Sequence, residues 1–244
     1  MQFTTFNAGK LAIIALLAQL AVAHPTFEME KRQTTPAILM GAAAGWGAIA
    51  ASTLTNVSNT RITGSCGTSP GTEITGFPPG VCTKTNSAGG IAADNAEAAC
   101  LNAYNNAAAK VPTAALRASD LGRGLTLPPG VYTFPTSAAT LTGTLTLDGA
   151  TNRRGQWIFQ ITTTFTASAA SQIRTINGAQ ACNVYFIVGS SANVQAGTKL
   201  VGNILAYTSI SASDAASNNG SWCALNGAVT LINNALTAQS VCST

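Results

Sequence analysis

The stretch "WIFQITTTFTASAASQIRTING" (residues 157–178) contains three segments of different character. The first, "WIFQI" (157–161), is almost wholly apolar, as expected for a strand that is buried on both faces. The second, "TTTFTAS" (162–168), alternates polar and apolar residues, which is typical of a strand with one buried face. The third, "QIRTING" (172–178), is short and ends at a glycine. The stretch therefore predicts three short strands joined by turns.

The same order of segments recurs through the second half of the chain. Apolar runs begin at Val131, Trp157, Val184, Ile204 and Trp222, with spacings of 26, 27, 20 and 18 residues. An alternating segment rich in threonine and serine follows each run, and a shorter third segment follows most of them. A repeat of this kind predicts a parallel β-solenoid. A β-sandwich also has short strands at regular spacing, but it does not predict the order buried, alternating, short.

The stretch "ATLTGTLTLDG" (139–149) shows the alternation most clearly, with "ATLTG" as the second segment of its coil and "TLTLDG" as the third. Leu141, Leu145 and Leu147 are expected to face inward from a strand, and the threonines between them are expected to face solvent. Threonine suits strands because its β-branched side chain is stiff. A row of uncharged hydroxyls and methyls facing water is unusual for a soluble protein, and it marks this surface as a candidate functional face.

One helix is predicted at about residues 91–110. The segment is rich in alanine, carries Asp94 and Glu97 in its first half, and ends at Lys110 before Pro112. Its small residues recur at helical spacing, so one face can lie close against another element. Strand-like, glycine-punctuated sequence precedes the segment, so the helix is expected to interrupt the solenoid in sequence rather than to end it.

The N-terminal residues predict a secreted, extracellular protein. Residues 1–23 have the pattern of a signal peptide, and residues 24–32 are predicted to form a propeptide that ends in a dibasic pair. Residues 33–244 then form a single domain with nine basic and six acidic side chains and without His24, the sole histidine. No later segment is apolar for long enough to span a bilayer, so no membrane partner is expected. The positive charges are scattered along the sequence and do not form the basic patch that nucleic-acid binding requires, so no nucleic-acid partner is expected.

Six cysteines in a secreted chain predict disulfides, in any of 15 possible pairings. The candidates are Cys66, Cys82, Cys100, Cys182, Cys223 and Cys242. No two of them form a CxxC pair, so metal binding is the weaker interpretation. Two glycosylation sequons begin at Asn56 and Asn219.

No catalytic residue, metal or cofactor is expected in the chain. The domain without His24 lacks the usual histidine base, and a β-helical polysaccharide-degrading enzyme would need paired carboxylates or acidic calcium ligands. The six acidic residues are dispersed, and the nearest approach to a cluster is Asp148 with Arg153 and Arg154, which predicts a solvated turn. Trp157 and Trp222 begin apolar strands and are expected in the core rather than on a sugar-binding surface.

Four stretches together resemble the secreted ice-binding protein family of microbes and fungi. They are "RITGSCGTSPGTEITGF", "AEAACLNAYNNAAAK", "GLTLPPGVYTF" and "GQWIFQI", in that order. The resemblance implies a mainly β fold, a discontinuous right-handed parallel β-helix with one α-helix packed along its side. It also implies a non-enzymatic protein that binds ice, or ordered water, through one flat face, and so acts as an antifreeze or inhibits ice recrystallisation.

We expect the second segment of each coil to supply this face. Its predicted outward residues are Thr53, Thr55, Thr140, Thr142, Thr164, Thr166, Ser168, Asn193, Gln195, Ser209, Ser211, Ser213 and Thr230. The corresponding inward residues are expected at the positions between them, such as Phe165 and Ile210. The alternative is a cell-wall-associated adhesive or structural solenoid without ice activity, for which cell-wall glycans would be the partner.

Overall fold

The computed structural model describes residues 36–239 and Cys242. The predicted signal peptide and propeptide lie outside these residues. Within the described residues, the chain from Ala37 onward forms one compact unit built from three parallel sheets and one α-helix. The predicted parallel β-solenoid is therefore confirmed.

Each complete coil contributes one strand to each sheet, and the coils at the two ends of the stack are incomplete. Sheet A consists, in spatial order, of β7 (Asn86–Ala88), β4 (Ser65–Thr68), β1 (Trp46–Ala50), β22 (Trp222–Ala224), β19 (Asn203–Ala206), β16 (Val184–Val188), β13 (Trp157–Ile161), β10 (Gly130–Thr133) and β8 (Ala114–Ala115). Sheet B consists of β11 (Ala139–Leu141), β14 (Phe165–Ala167), β17 (Ala192–Val194), β20 (Ile210–Ala212), β23 (Val229–Ile232), β2 (Thr53–Val57) and β5 (Glu73–Thr75). Sheet C consists of β6 (Val81–Cys82), β3 (Arg61–Thr63), β24 (Ala235–Thr237), β21 (Ser217–Asn219), β18 (Lys199–Val201), β15 (Gln172–Ile176), β12 (Thr144–Asp148) and β9 (Arg123–Leu127).

The order of coils in space differs from their order in sequence. The last coil, β22–β24, pairs on one side with β19 and its coil and on the other side with β1, β2 and β3 from the N-terminal part. The N-terminal coils thus stack on the C-terminal coil, and the β-helix is discontinuous as the family resemblance implied. The chain then has to return to the opposite end of the stack before β8 can begin.

The single α-helix, α1 (Ile91–Ala108), makes this return along the outside of sheet A. Its buried residues are small: Ala93, Ala96, Cys100, Ala103 and Ala107. Its contacts include β1, β13, β16 and β19, all in sheet A. At about 1.5 Å per residue an 18-residue helix spans about 27 Å, which is close to the width of six stacked strands. The predicted helix is confirmed and ends two residues earlier than expected.

Sheet A is apolar on both faces because both faces are covered. In β13, Trp157, Phe159 and Ile161 point into the β-helix, whereas Ile158 belongs to the cluster beneath α1. The aromatic rings of Phe159 and Phe186 stack with centroids 4.8 Å apart inside the solenoid. Trp157 and Trp222 are fully buried, as the sequence predicted.

The predicted division of residues 139–149 between two segments of one coil is confirmed. Gly143 has φ 91° and turns the chain, so β11 ends at Leu141 in sheet B and β12 begins at Thr144 in sheet C. Leu141, Leu145 and Leu147 are all buried, because both strands line the same interior. The outward threonines, however, divide between two different faces of the solenoid.

The six cysteines form three disulfides. The pairs are Cys66–Cys82, Cys100–Cys223 and Cys182–Cys242. The second pair joins α1 to β22 and therefore fastens the helix to sheet A. The first joins β4 of sheet A to β6 of sheet C near one end of the stack.

Candidate functional site

The outer face of sheet B carries a row of small polar side chains in register across all seven strands. The register is continuous because each strand pairs in parallel with the next at equivalent positions. In spatial order the row is Thr140, Thr166, Asn193, Ser211, Thr230, Thr55 and Thr75. Each of these residues is at least partly exposed, and its neighbours along the strand are mostly buried.

Two further rows flank this central row, two residues before it and two residues after it along each strand. The row before it contains Thr164, Ser191, Ser209, Ala228 and Thr53, and the row after it contains Thr142, Ser168, Gln195, Ser213, Ile232 and Val57. All thirteen outward residues predicted from the sequence lie in these three rows with part of their side chains exposed. The predicted inward residues, such as Phe165 and Ile210, are buried.

The three rows together define what we call the sheet B face, and its middle differs from its ends. In the middle, the Ser211 hydroxyl donates to Oδ1 of Asn193 at 2.8 Å, and Oε1 of Gln195 accepts from the Ala169 amide at 3.1 Å. These three side chains therefore already have hydrogen-bond partners within the protein. Toward the two ends, the hydroxyls of Thr166 and Thr55 have no hydrogen-bond partner among the described residues. Threonine hydroxyls at the ends are consequently open to water.

One threonine at the β11 edge of sheet B, Thr142, donates its hydroxyl hydrogen bond to a carboxylate of the protein. Asp120 forms a bridge beside Thr140 and extends sheet B beyond β11. Its carboxylate accepts hydrogen bonds from the hydroxyl and the backbone amide of Thr142 and from the Gly122 amide. Partial burial acts to raise the pKa of Asp120, but these hydrogen bonds outweigh it and hold the pKa below its usual range. The carboxylate is therefore ionised, and its oxygens already accept hydrogen bonds from residues at this edge of sheet B.

Charge distinguishes the sheet B face from the rest of the solenoid. Among the strands of sheet B, the sole charged residue is Glu73, which lies on the edge strand β5. Sheet C, in contrast, carries Arg61, Arg123, Arg174 and Lys199 on its strands. The outside of sheet A is partly covered by α1. Sheet B is thus the one sheet with an open, nearly uncharged outer surface.

Sequence reasoning missed five residues of this face, one of which is Ala228 in the row before the central one. Thr75 and Ser191 continue the central and flanking rows, and Val57 and Ile232 add exposed apolar groups, with exposed fractions of 56% and 37%. The alternation in "EIT" (73–75) was a sufficient signal for Thr75. Val57 was harder to find, since a polar residue occupies the inward position before it and interrupts the expected alternation.

That polar residue is Asn56, and its position bears on the glycosylation candidates. Asn56 is 5% exposed, and its Nδ2 donates to the carbonyls of Ser58 and Gly76 at 2.7 and 2.9 Å. A glycan on this nitrogen has no room in the folded protein, so the prediction for Asn56 is wrong as a surface site. Asn219 is exposed on β21, which places the second sequon on sheet C, away from the sheet B face.

Comparison with known proteins identifies the family. The profile of the family described as "Ice-binding-like" matches residues 48–237. The chain belongs to this family. Residues 48–237 include the sheet B face almost entirely and the whole of α1, so the family match and the geometry refer to the same structural unit.

Proteins similar to this ice-binding-like chain come from several microbes. An ice-binding protein of Nostoc sp. (strain HG1) is 41% identical over 226 residues, which cover 92% of this chain and 81% of that protein. The crystal structure of an ice-binding protein from the Antarctic ascomycete Antarctomyces psychrotrophicus matches with a TM-score of 0.78 and 38% identity, and covers 84% of this chain and 100% of that one. An ice-binding protein from an Arctic yeast, described for its antifreeze activity, matches with a TM-score of 0.77 and 25% identity over 87% of this chain and 98% of that one. The alternative of an adhesive without ice activity gains no support from these similarities.

Within residues 36–239 and Cys242, no group of three or more histidine, cysteine, aspartate or glutamate side chains could hold a metal ion. No helix in this part of the chain is long and apolar enough to cross a membrane. Asp148 accepts hydrogen bonds from the Asn177 side chain and the Ala150 amide, which fits a structural turn.

Proposed function

We propose that this protein binds ice through the sheet B face, and thereby inhibits ice recrystallisation and growth. The observation that carries the proposal is the in-register row of seven small, uncharged polar side chains across sheet B. The family and the names of the relatives support ice as the ligand. The geometry supports the sheet B face as the surface that binds it.

The spacing of the rows suits an ordered layer of water. Adjacent strands lie roughly 4.7–4.9 Å apart, and residues two positions apart along one strand lie roughly 6.5–7 Å apart. Both distances are close to repeats in the oxygen lattice of ice. The solenoid holds the strands in fixed register, so little conformational freedom is lost when the face meets a crystal.

Threonine is suited to this task for two reasons. Its β-branched side chain is stiff at χ1, so its methyl and hydroxyl keep fixed positions in Thr55, Thr166 and Thr230. The methyl favours cage-like water around it, and the hydroxyl anchors one water by a hydrogen bond. A charged side chain would instead hold a tight hydration shell whose geometry does not match ice, and the near absence of charge on sheet B avoids this conflict.

The test compares one substitution on the sheet B face with a matched substitution elsewhere. Thr166→Tyr places a bulky ring in the central row of sheet B, and Thr146→Tyr places the same ring on the outer side of sheet C. Both threonines are partly exposed and lie in the middle of a strand, so the cost in stability should be similar. Ice recrystallisation inhibition and crystal shaping are measured for both variants, together with thermal unfolding.

We expect Thr166→Tyr to abolish most of the activity and Thr146→Tyr to retain it, with similar unfolding temperatures. Equal activity in the two variants would assign ice binding to another surface. A parent protein that leaves ice growth unchanged at high concentration would contradict the function itself.

We also propose that the mature protein acts outside the cell and without enzymatic activity. The signal-peptide pattern of residues 1–23 and the dibasic site at residues 31–32 support secretion. Three disulfides in the described part of the chain are consistent with an oxidising compartment. Mass spectrometry of the secreted protein gives the mature N-terminus, which we expect at Gln33.

A further inference from the structure

The cationic residues of the strands are confined to one sheet. Within the described residues, Arg61, Arg123, Arg174 and Lys199 are the strand residues with positive charge, and all four lie in sheet C. All four are exposed on the outer side of the sheet. The strands of sheet C contain one acidic residue, Asp148, which is already hydrogen-bonded to the Asn177 side chain. The outer side of sheet C is therefore a basic surface on the same solenoid as the uncharged sheet B face.

Three of these cations form a straight row with even spacing. Arg123 is in register with Thr144 of β12, then Gln172 of β15, then Lys199 of β18, so three strand spacings separate Arg123 from Lys199. Lys199 is in register with residues of β21 and β24 and then with Arg61, again three spacings away. Each step is about 14–15 Å between Cα atoms, and the whole row is about 29 Å long.

A fourth and a fifth cation lie beside the row. Arg174 lies two residues beyond Gln172 on β15, diagonally about 8 Å from Lys199. The side chain of Arg153 packs over Gly178, just past the end of β15. Among the described residues, none of Arg61, Arg174 and Lys199 forms a salt bridge with an acidic residue of the protein. Their charges are consequently available to an external partner.

The spacing of the cations along the row indicates the kind of partner that can bind them. Charges 14–15 Å apart are separated by more than the screening length of about 8 Å at physiological ionic strength, so the row costs the protein little by repulsion. A flexible or rod-like polymer with one carboxylate on each sugar can, however, meet every cation of the row at once. The exposed hydroxyls of Thr63 and Thr237, two residues along their strands from the row, can hydrogen-bond to sugar hydroxyls.

From this arrangement we propose that the outer side of sheet C binds a linear acidic polysaccharide, a polyuronate, along the row from Arg123 to Arg61. Binding involves no covalent step. It leaves the sheet B face free, because the two sheets form different sides of the solenoid. The protein could then be retained in a carboxylated extracellular polymer while its uncharged face meets ice.

The experiment compares two double variants that lose the same net charge. Arg174→Gln/Lys199→Gln removes two cations of sheet C, and Lys84→Gln/Arg117→Gln removes two exposed cations that lie in loops. Binding of the secreted protein to polygalacturonate is measured by titration calorimetry over a range of salt concentrations, with dextran as the neutral polymer and duplex DNA as a different polyanion. Ice recrystallisation inhibition is measured on the same samples.

We expect the parent to bind polygalacturonate but not dextran. The sheet C variant should bind at least tenfold more weakly. Its affinity should also depend less steeply on salt, because a protein with fewer cations releases fewer counterions from the polymer on binding. The loop variant should bind within about twofold of the parent, and both variants should retain full ice activity. Equal losses in the two variants would show general electrostatic attraction and would overturn the proposal. So would absence of binding by the parent, or binding to DNA as strong as to polygalacturonate.

Discussion

The attachment of α1 to sheet A should depend strongly on the disulfide Cys100–Cys223. The buried face of the helix consists of four alanines and Cys100, so little apolar area is available to hold it. Gln160 of β13 adds hydrogen bonds from its Nε2 to the carbonyls of Ala107 and Lys110, both at 2.9 Å. Removal of the disulfide should destabilise the whole domain, because it also frees the unfolded chain between two residues that are distant in sequence.

The size of the effect follows from the sequence separation of the two cysteines, which is 123 residues. Loop-closure entropy in the unfolded chain then gives a stabilisation of about 5 kcal/mol at 25 °C, whereas the 16-residue separation of Cys66 and Cys82 gives about 3 kcal/mol. With a urea dependence of about 3 kcal/mol per molar, Cys100→Ala/Cys223→Ala should lower the unfolding midpoint by about 1.7 M. The matched variant Cys66→Ala/Cys82→Ala should lower it by about 1 M.

The assay is urea unfolding followed by circular dichroism and tryptophan fluorescence, with ice recrystallisation inhibition measured in the absence of urea. Ice activity should persist in Cys100→Ala/Cys223→Ala, since the principal contacts of α1 are with sheet A and not with sheet B. The reasoning is refuted if this variant loses less stability than Cys66→Ala/Cys82→Ala, or if its midpoint is unchanged. Either result would mean that the helix is held mainly by packing.

Two further predictions concern buried groups. Burial raises the pKa of Glu97 on α1 from 4.5 to about 7, and its Oε2 has no hydrogen-bond partner among the described residues. Between these two pKa values the folded state binds more protons than the unfolded state, so the unfolding free energy should fall as pH rises from about 4.5 to 7. Glu97→Gln should flatten this pH dependence, measured by urea unfolding at a series of pH values. Parallel pH curves for parent and variant would contradict the prediction. Phe165 is fully buried beneath the sheet B face, with its ring 4.9 Å from that of Phe186. Phe165→Ala should lower the unfolding free energy by about 3–5 kcal/mol in the same assay, and a loss below about 1 kcal/mol would show that the core can close around the gap.

Much of the fold could be predicted from local sequence patterns. The apolar runs "WIFQI" and "VYFIV" are β13 and β16 with the same boundaries, because a strand covered on both faces needs apolar residues at nearly every position. Period-two alternation gave the correct inward residues of sheet B, since successive side chains of a strand point to opposite faces. The helix was predicted from its alanine content and its charged ends.

Other features could not be predicted, because they depend on contacts between distant segments. Asn56 occupies an inward position that alternation assigns to an apolar residue, and its Nδ2 donates hydrogen bonds there to the carbonyls of Ser58 and Gly76. The disulfide pairing likewise required the three-dimensional positions of the cysteines.

The sequence by itself determined that the chain is a solenoid with one helix, because each coil repeats the same pattern of burial and burial is a local property of strand periodicity. The family resemblance, carried by four short motifs, was also present in the sequence. The tertiary structure alone decided which residues share a surface. The last coil inserts between the first coils and the remainder, so Thr230 becomes the neighbour of Thr55, although 174 residues separate them in the chain. Such neighbours are set by the stacking of coils, which buries the apolar edges of each coil against the next and leaves no signature in either segment alone.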